Sequence, residues 1–124
     1  MLIPALSYQH RQEMRSCKQA VEIYLSERRP AEAIALCNGV LRILDDPKLT
    51  IPNSILSDND KPEVRQRIMA TFEIERTEGK AQVLRLLGDS YKTAGNSQQA
   101  KENYSAAKKL DEQAKELSAK LGTR

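Results

Sequence analysis

The sequence contains no tryptophan, one phenylalanine and one histidine, and its only cysteines are Cys17 and Cys37. One histidine and two cysteines do not make up the donor set of a tetrahedral zinc site. No phosphate-binding loop, nucleophile elbow or dinucleotide-binding glycine pattern occurs. The carboxylate pair Asp45–Asp46 is explained better by a turn than by a bound cation. We therefore expect no catalytic site, no metal and no cofactor.

An excess of one charge is also absent, because 20 basic residues face 17 acidic ones and the net charge is +3. Basic and acidic side chains alternate, which is typical of a solvated helix surface, and no aromatic platform accompanies them, so nucleic-acid binding is not expected. No apolar run approaches the ~18 residues of a membrane span, and the first residues do not form a secretory signal. These absences predict a soluble, cytoplasmic protein with two free thiols and an aliphatic core.

The most regular segment of the chain is residues 81–114. Its first half has apolar residues at helical spacing, namely Val83, Leu84, Leu87 and Tyr91. Gly95 then suits the left-handed residue after a helix end, and Asn96 or Ser97 can cap the next helix. Gly88 has no side chain, so a second helix can cross close to it. The second half carries the facing stripe of Ala100, Tyr104 and Ala107.

This window resembles the tetratricopeptide repeat, whose pattern is W-x2-L-G-x2-Y…A-x3-F…P. The matching positions are Leu84, Leu87, Gly88, Tyr91, Gly95, Ala100, Tyr104 and Ala107. Leu84 stands at the tryptophan position, Tyr104 at the phenylalanine position and Glu112 where the pattern ends in proline. The resemblance implies antiparallel helical hairpins in a right-handed stack that holds another protein in its groove. The alternative is an unrelated antiparallel helix pair.

A degenerate form of the same pattern covers residues 14–47, which begins 67 residues before the second match. Helices are predicted over residues 9–27 and 31–44, separated by Pro30, which favours a helix start. Tyr24 and Ala33 match the tyrosine and alanine positions of the repeat. Arg28 stands where the repeat has its turn glycine, and Cys37 replaces the later aromatic residue.

The remaining segments complete one predicted all-α domain over residues 1–124. Residues 45–61 are predicted to form a long loop, and a helix restarts at Pro62. One long helix over residues 62–93 is favoured, so that the helical segment 62–80 runs into the second repeat; the alternative is two helices with a turn at 77–80. The last helix extends beyond the repeat over residues 115–121. Its apolar seam is expected to pack back onto the body rather than form a coiled coil.

In the family that the second repeat resembles, the first helix of each repeat lines a concave groove. Carried onto this chain, the groove residues are Arg15, Lys18, Glu22, Gln82, Arg85, Asp89 and Lys92. Lys18 is followed four residues later by Glu22 instead of the asparagine that some members use to clamp a carboxyl terminus, so chaperone-tail binding is not expected.

The resemblance predicts a non-catalytic adaptor, scaffold or chaperone-like module that binds a peptide or helix of a partner protein. Because about three repeats are normally needed for a stable stack, a self-associating structural or regulatory subunit, such as a homodimer, is the alternative. A nucleic-acid-associated subunit is less favoured.

Overall fold

A computed structural model describes the backbone of residues 3–45 and 61–122, and the side chains from residue 12 onward within those ranges. The described residues form four α-helices and no strand: α1 (Ile3–Ser26), α2 (Pro30–Asp45), α3 (Pro62–Thr93) and α4 (Ser97–Gly122). The all-helical class is confirmed. The loop predicted over 45–61 falls almost entirely on residues 46–60, which lie outside the described part of the chain.

The helix bounds differ from the sequence-based ones chiefly at the start of α1, which begins at Ile3 rather than at residue 9. Proline is tolerated in the first turn of a helix, where its missing N–H would have no partner, so Pro4 does not delay the start. α3 is a single helix through Gly79, as the sequence favoured. A helical glycine costs about 1 kcal/mol relative to alanine, which does not interrupt this helix, and Gly79 is buried.

The turn between α1 and α2 closes with two backbone hydrogen bonds. Arg28 N–H donates to the Leu25 carbonyl at 3.1 Å, and Arg29 N–H donates to the Tyr24 carbonyl at 2.8 Å. This pair of bonds, with a left-handed residue between them, is the Schellman motif. Arg28 has a φ of 59°, a conformation that favours glycine.

The turn between α3 and α4 has the same geometry. Gly95 N–H donates to the Lys92 carbonyl at 3.1 Å, Asn96 N–H donates to the Tyr91 carbonyl at 2.9 Å, and Gly95 has a φ of 85°. Each of these residues lies 67 positions after its counterpart in the first turn. The turns of the two hairpins are therefore structurally equivalent at this offset, and Arg28 occupies the position of the turn glycine, as the sequence pattern predicted.

The core lies where the two hairpins meet. Its fully buried members include Val21 of α1, Cys37 of α2 and Val83 of α3. The end of α2 is fixed to α3 by an ion pair of 2.6 Å between Asp45 and Lys80. The middle of α2 places Cys37 beside Ser90, ten residues further along α3. α2 is therefore antiparallel to α3, and α1 is parallel to α3.

Gly88 lies where α3 and α4 pack closely. A Cβ atom placed on Gly88 would lie 2.6 Å from Cε1 and 2.8 Å from Cδ1 of the Tyr104 ring. The predicted close crossing of the two helices at Gly88 is thus confirmed. Further along α4, Ala107 and Ala114 are buried, so the end of this helix packs back onto α3.

Candidate binding surface

The seven residues predicted to line a groove form one surface stripe on each of α1 and α3. Six of them are exposed and Gln82 is half-buried. At the 67-residue offset, Arg15 of α1 corresponds to Gln82 of α3, Lys18 corresponds to Arg85, and Glu22 corresponds to Asp89. Two of these three equivalent pairs therefore keep the sign of their charge. We call these residues the charged stripe: Arg15, Lys18, Glu22, Gln82, Arg85, Asp89 and Lys92.

Two members of the charged stripe on α3 are held by side chains of α4. Arg85 Nη1 lies 2.5 Å from Asp111 Oδ2, and the Tyr104 hydroxyl donates a hydrogen bond to the Asp89 carboxylate. The Arg85 and Asp111 side chains are 48% and 39% exposed, so their ion pair contributes at most about 1 kcal/mol to stability. Its effect is chiefly to orient the two side chains. Sequence reasoning did not identify Asp111, because the pairing depends on the register of two helices.

Tyr104, which adjoins the charged stripe, has a raised pKa. Burial, together with the hydrogen bond to Asp89 and its negative charge, raises the pKa of Tyr104 to about 12. The hydroxyl is therefore a neutral donor under ordinary conditions, and the Asp89 carboxylate is already occupied on one side. Lys18 and Lys92 make no ion pair with any described residue.

The side of α1 that faces away from α3 is polar at positions where α3 is buried. Val83, Leu86 and Ser90 of α3 are buried against the first hairpin. Their equivalents on α1 are Ser16, Gln19 and Ile23, all of which are exposed, and Ile23 is 56% exposed. Ser16 and Gln19 thus place hydrophilic side chains on the face of α1 that corresponds to the buried face of α3. Apolar packing of another helix against this face of α1 is therefore disfavoured.

α4 carries a row of lysines that sequence reasoning recorded only as scattered charge. Lys101, Lys108 and Lys115 are seven residues apart and exposed. Because a helix turns 100° per residue, this spacing places them on one face of α4. A shallow recess of about 240 Å³ lies beside the row, lined by Glu78, Asp111, Ala114, Lys115 and Ser118. The seven-residue spacing of these lysines is the sequence signal from which the row could have been predicted.

The described residues contain no arrangement suited to nucleophilic or metal chemistry. Cys17 and Cys37 are free and buried, and burial raises the pKa of both thiols, that of Cys37 to about 12. Both thiols are thus protonated, and the thiolate is the reactive form. Ser90 donates its hydroxyl to the Leu86 carbonyl at 2.8 Å. No group of three or more His, Cys, Asp or Glu side chains within the described ranges could hold a metal ion.

Comparison of the chain with known protein families, with curated proteins and with solved structures found no match. Among the four described helices, none is both long and apolar enough to cross a membrane.

Proposed function

We propose that this chain is a non-catalytic protein-interaction module, similar to a short tetratricopeptide array, which holds a peptide or helix of a partner protein on the charged stripe. The observation that carries this proposal is the repetition of the stripe. Lys18 and Glu22 on α1 recur as Arg85 and Asp89 on α3, at the offset that relates the two hairpins. The two helices are parallel, so an extended ligand would meet the same order of charges on each.

The scaffold under the stripe supports a binding role. Val21 of α1 and Val83 of α3 are both fully buried in the core. The hydrogen bond that Tyr104 donates to Asp89 and the one that Asp111 accepts from Arg85 hold two stripe side chains in place before a partner arrives. A preorganised surface of this kind lowers the ordering cost of association.

Self-association is the main rival. Self-association would be favoured by an exposed apolar face. The outward face of α1 instead carries Ser16 and Gln19, at positions where α3 has Val83 and Leu86. Light scattering over a range of concentrations separates the two proposals. A monomer at all concentrations supports the adaptor, whereas a dimer that Lys18→Glu dissociates would place a second copy on the stripe.

Affinity capture from the native source, followed by binding measurements on the captured partner, tests the proposed surface. Lys18→Glu is the test variant, since Lys18 makes no ion pair with any described residue. Arg42→Glu, on the exposed face of α2, is the matched control because it makes the same charge change away from the stripe. Surface substitutions of this kind change stability by about 0.5 kcal/mol or less.

The expected result is that Lys18→Glu weakens partner binding while Arg42→Glu leaves it unchanged, with equal melting temperatures for both variants. Full binding by Lys18→Glu and also by Lys92→Glu would show that the partner does not use the charged stripe.

A further inference from the structure

The edge of α4 beside α3 shows a second surface with a different chemistry. Lys101, Lys108 and Lys115 lie along it with a rise of about 10.5 Å between successive lysines. All three side chains are exposed, and none makes an ion pair with a residue that the structure describes. We call this row the lysine edge.

The equivalence of the hairpins shows what this position does elsewhere in the molecule. Lys101 and Lys108 correspond, at the 67-residue offset, to Ile34 and Leu41 of α2. Both of those residues pack against the core that contains Val83 and Leu86 of α3, the helix that follows. The equivalent surface in the first hairpin therefore seats a helix, and in the second hairpin the seat carries lysines in place of aliphatic side chains.

The same replacement occurs at the positions that border the seat. Leu44, which is 7% exposed in α2, corresponds to Asp111 of α4, and the half-buried Leu25 of α1 corresponds to Lys92 of α3. Asp111 is neutralised by Arg85 at 2.5 Å. Asp111 therefore does not offset the charge of the lysines, and their aliphatic stems can still lie along an apolar surface while the ammonium groups reach outward.

From this juxtaposition we propose that the lysine edge docks an acidic helix of a partner protein, with carboxylates at seven-residue spacing facing Lys101, Lys108 and Lys115. This site is distinct from the charged stripe and goes beyond the function proposed above. A docked helix would occupy the place, relative to α3 and α4, that α3 occupies relative to α1 and α2. Charged pairs at heptad spacing between neighbouring helices set partner choice and orientation.

The carboxylates near the lysine edge disfavour a nucleic acid as the occupant. Glu78 lines the adjoining recess, and Glu112 is exposed on the outer side of the row. A nucleic-acid strand places a phosphate roughly every 3.4 Å, so some of its phosphates would lie next to these carboxylates. A docked helix with an acid at every seventh residue places one carboxylate in two turns, and each can face a lysine. Beside the described part of the lysine edge, the Tyr104 ring packs on Gly88 and does not offer a face for stacking.

The test uses the full chain and a fluorescein-labelled helical peptide of about 20 residues, enough to span the ~21 Å row. One peptide carries glutamate at every seventh position on an alanine- and glutamine-rich background. A second peptide has the same composition with the glutamates at irregular spacing. Fluorescence anisotropy measures binding of each, in low salt and in physiological salt, and a labelled DNA duplex serves as the polyanion probe.

Lys108→Glu is the test variant and Arg42→Glu is its matched control, because Arg42 is exposed on α2 and its substitution makes the same charge change away from the lysine edge. Lys109 does not serve as the control, because it lines a recess together with Lys101. We expect Lys108→Glu to weaken binding of the regular peptide by about tenfold, as charge reversal in a close pair does, and Arg42→Glu to change it less than about twofold. We also expect weaker binding in higher salt and weaker binding of the irregular peptide.

Three results would overturn the proposal: equal binding by the two variants, equal binding of the two peptides, or tighter binding of the duplex than of the regular peptide. Lys18→Glu distinguishes this site from the charged stripe, because it should leave peptide binding unchanged. Loss of peptide binding in Lys18→Glu alone would place the acidic helix on the stripe and not on the lysine edge. Circular dichroism of each variant confirms that the fold is retained.

Discussion

The contact between Gly88 and Tyr104 allows a stability prediction in which two opposing effects can be separated. Gly88→Ala adds one methyl group, whose carbon would lie 2.6 to 2.9 Å from three atoms of the Tyr104 ring. Favourable carbon–carbon contacts lie at about 3.5–4.0 Å, so the ring or the helix must move by about 1 Å. Overpacking of this kind costs about 1–3 kcal/mol, while alanine is a better helix former than glycine by about 1 kcal/mol.

Gly39 of α2 supplies the control that isolates the steric cost. It is also a helical glycine, but the nearest atom to a Cβ placed there is Arg42 Nη2, at 3.9 Å. Gly39→Ala should therefore stabilise the protein by about 0.5–1 kcal/mol through helix propensity alone. We expect Gly88→Ala to be less stable than Gly39→Ala by about 1–3 kcal/mol, the overpacking cost.

Urea unfolding followed by far-ultraviolet circular dichroism measures both variants, since the chain has no tryptophan for fluorescence. The Tyr104→Ala background then removes the ring, so Gly88→Ala should become stabilising there, with a coupling energy of about 1–3 kcal/mol. Equal stabilisation by Gly88→Ala and Gly39→Ala in the wild-type background, with no coupling to Tyr104, would refute the close helix crossing.

Three further predictions follow from particular residues. Arg28→Gly should stabilise the protein by about 1 kcal/mol and Gly95→Ala should destabilise it by a similar amount, because both positions are left-handed; urea unfolding gives the two signs, and the same sign for both would contradict the equivalence of the turns. The pKa of Tyr104 is about 12 when folded against an ordinary value of 10, so its contribution to stability is complete below pH 10 and is lost as the pH rises toward 12. Wild-type protein should therefore lose more unfolding free energy than Tyr104→Phe over that range, and parallel losses would contradict the shift. Cys17 and Cys37 should react with an aromatic disulfide reagent at mildly alkaline pH only at the rate of unfolding, whereas rapid labelling in native conditions would mean that the thiols are accessible.

The all-helical class and the hairpin of α3 and α4 could be predicted from the sequence, because the contacts that define them are local in the chain. The positions of Gly88, Gly95 and Ala100 each require a small side chain or a left-handed backbone, which few residues supply. The spacing of these three residues therefore predicted the hairpin. Asn96 was one of two proposed caps, and its side chain accepts a hydrogen bond from Gln99 N–H at 3.2 Å. The start of α1 was predicted too late, at residue 9 instead of Ile3, although the first turn of a helix tolerates a proline such as Pro4.

The candidate surfaces were predictable in part. The residues of the charged stripe follow from the resemblance to the repeat family; the structure shows six of them exposed and Gln82 half-buried, and their role in a groove stays a prediction. The hydrogen bonds from Arg85 to Asp111 and from Tyr104 to Asp89 could not be predicted, because each requires the relative register of α3 and α4 to be known. The lysine edge was overlooked for a different reason. Lys101 and Lys108 acquire meaning only when Ile34 and Leu41 are known to occupy the same place in the first hairpin.

The length of α3 bears on how the two hairpins are stabilised. α3 begins at Pro62, well before the segment 81–114 that resembles a repeat, and Ile68 and Thr77 are buried in this additional part of the helix. Ala114 of α4 is buried as well. The outward positions Ser16 and Gln19 of α1 and Lys101 and Lys108 of α4 are instead exposed and hydrophilic. The additional part of α3 thus buries apolar surface without using these outward positions, which stay available to carry charge.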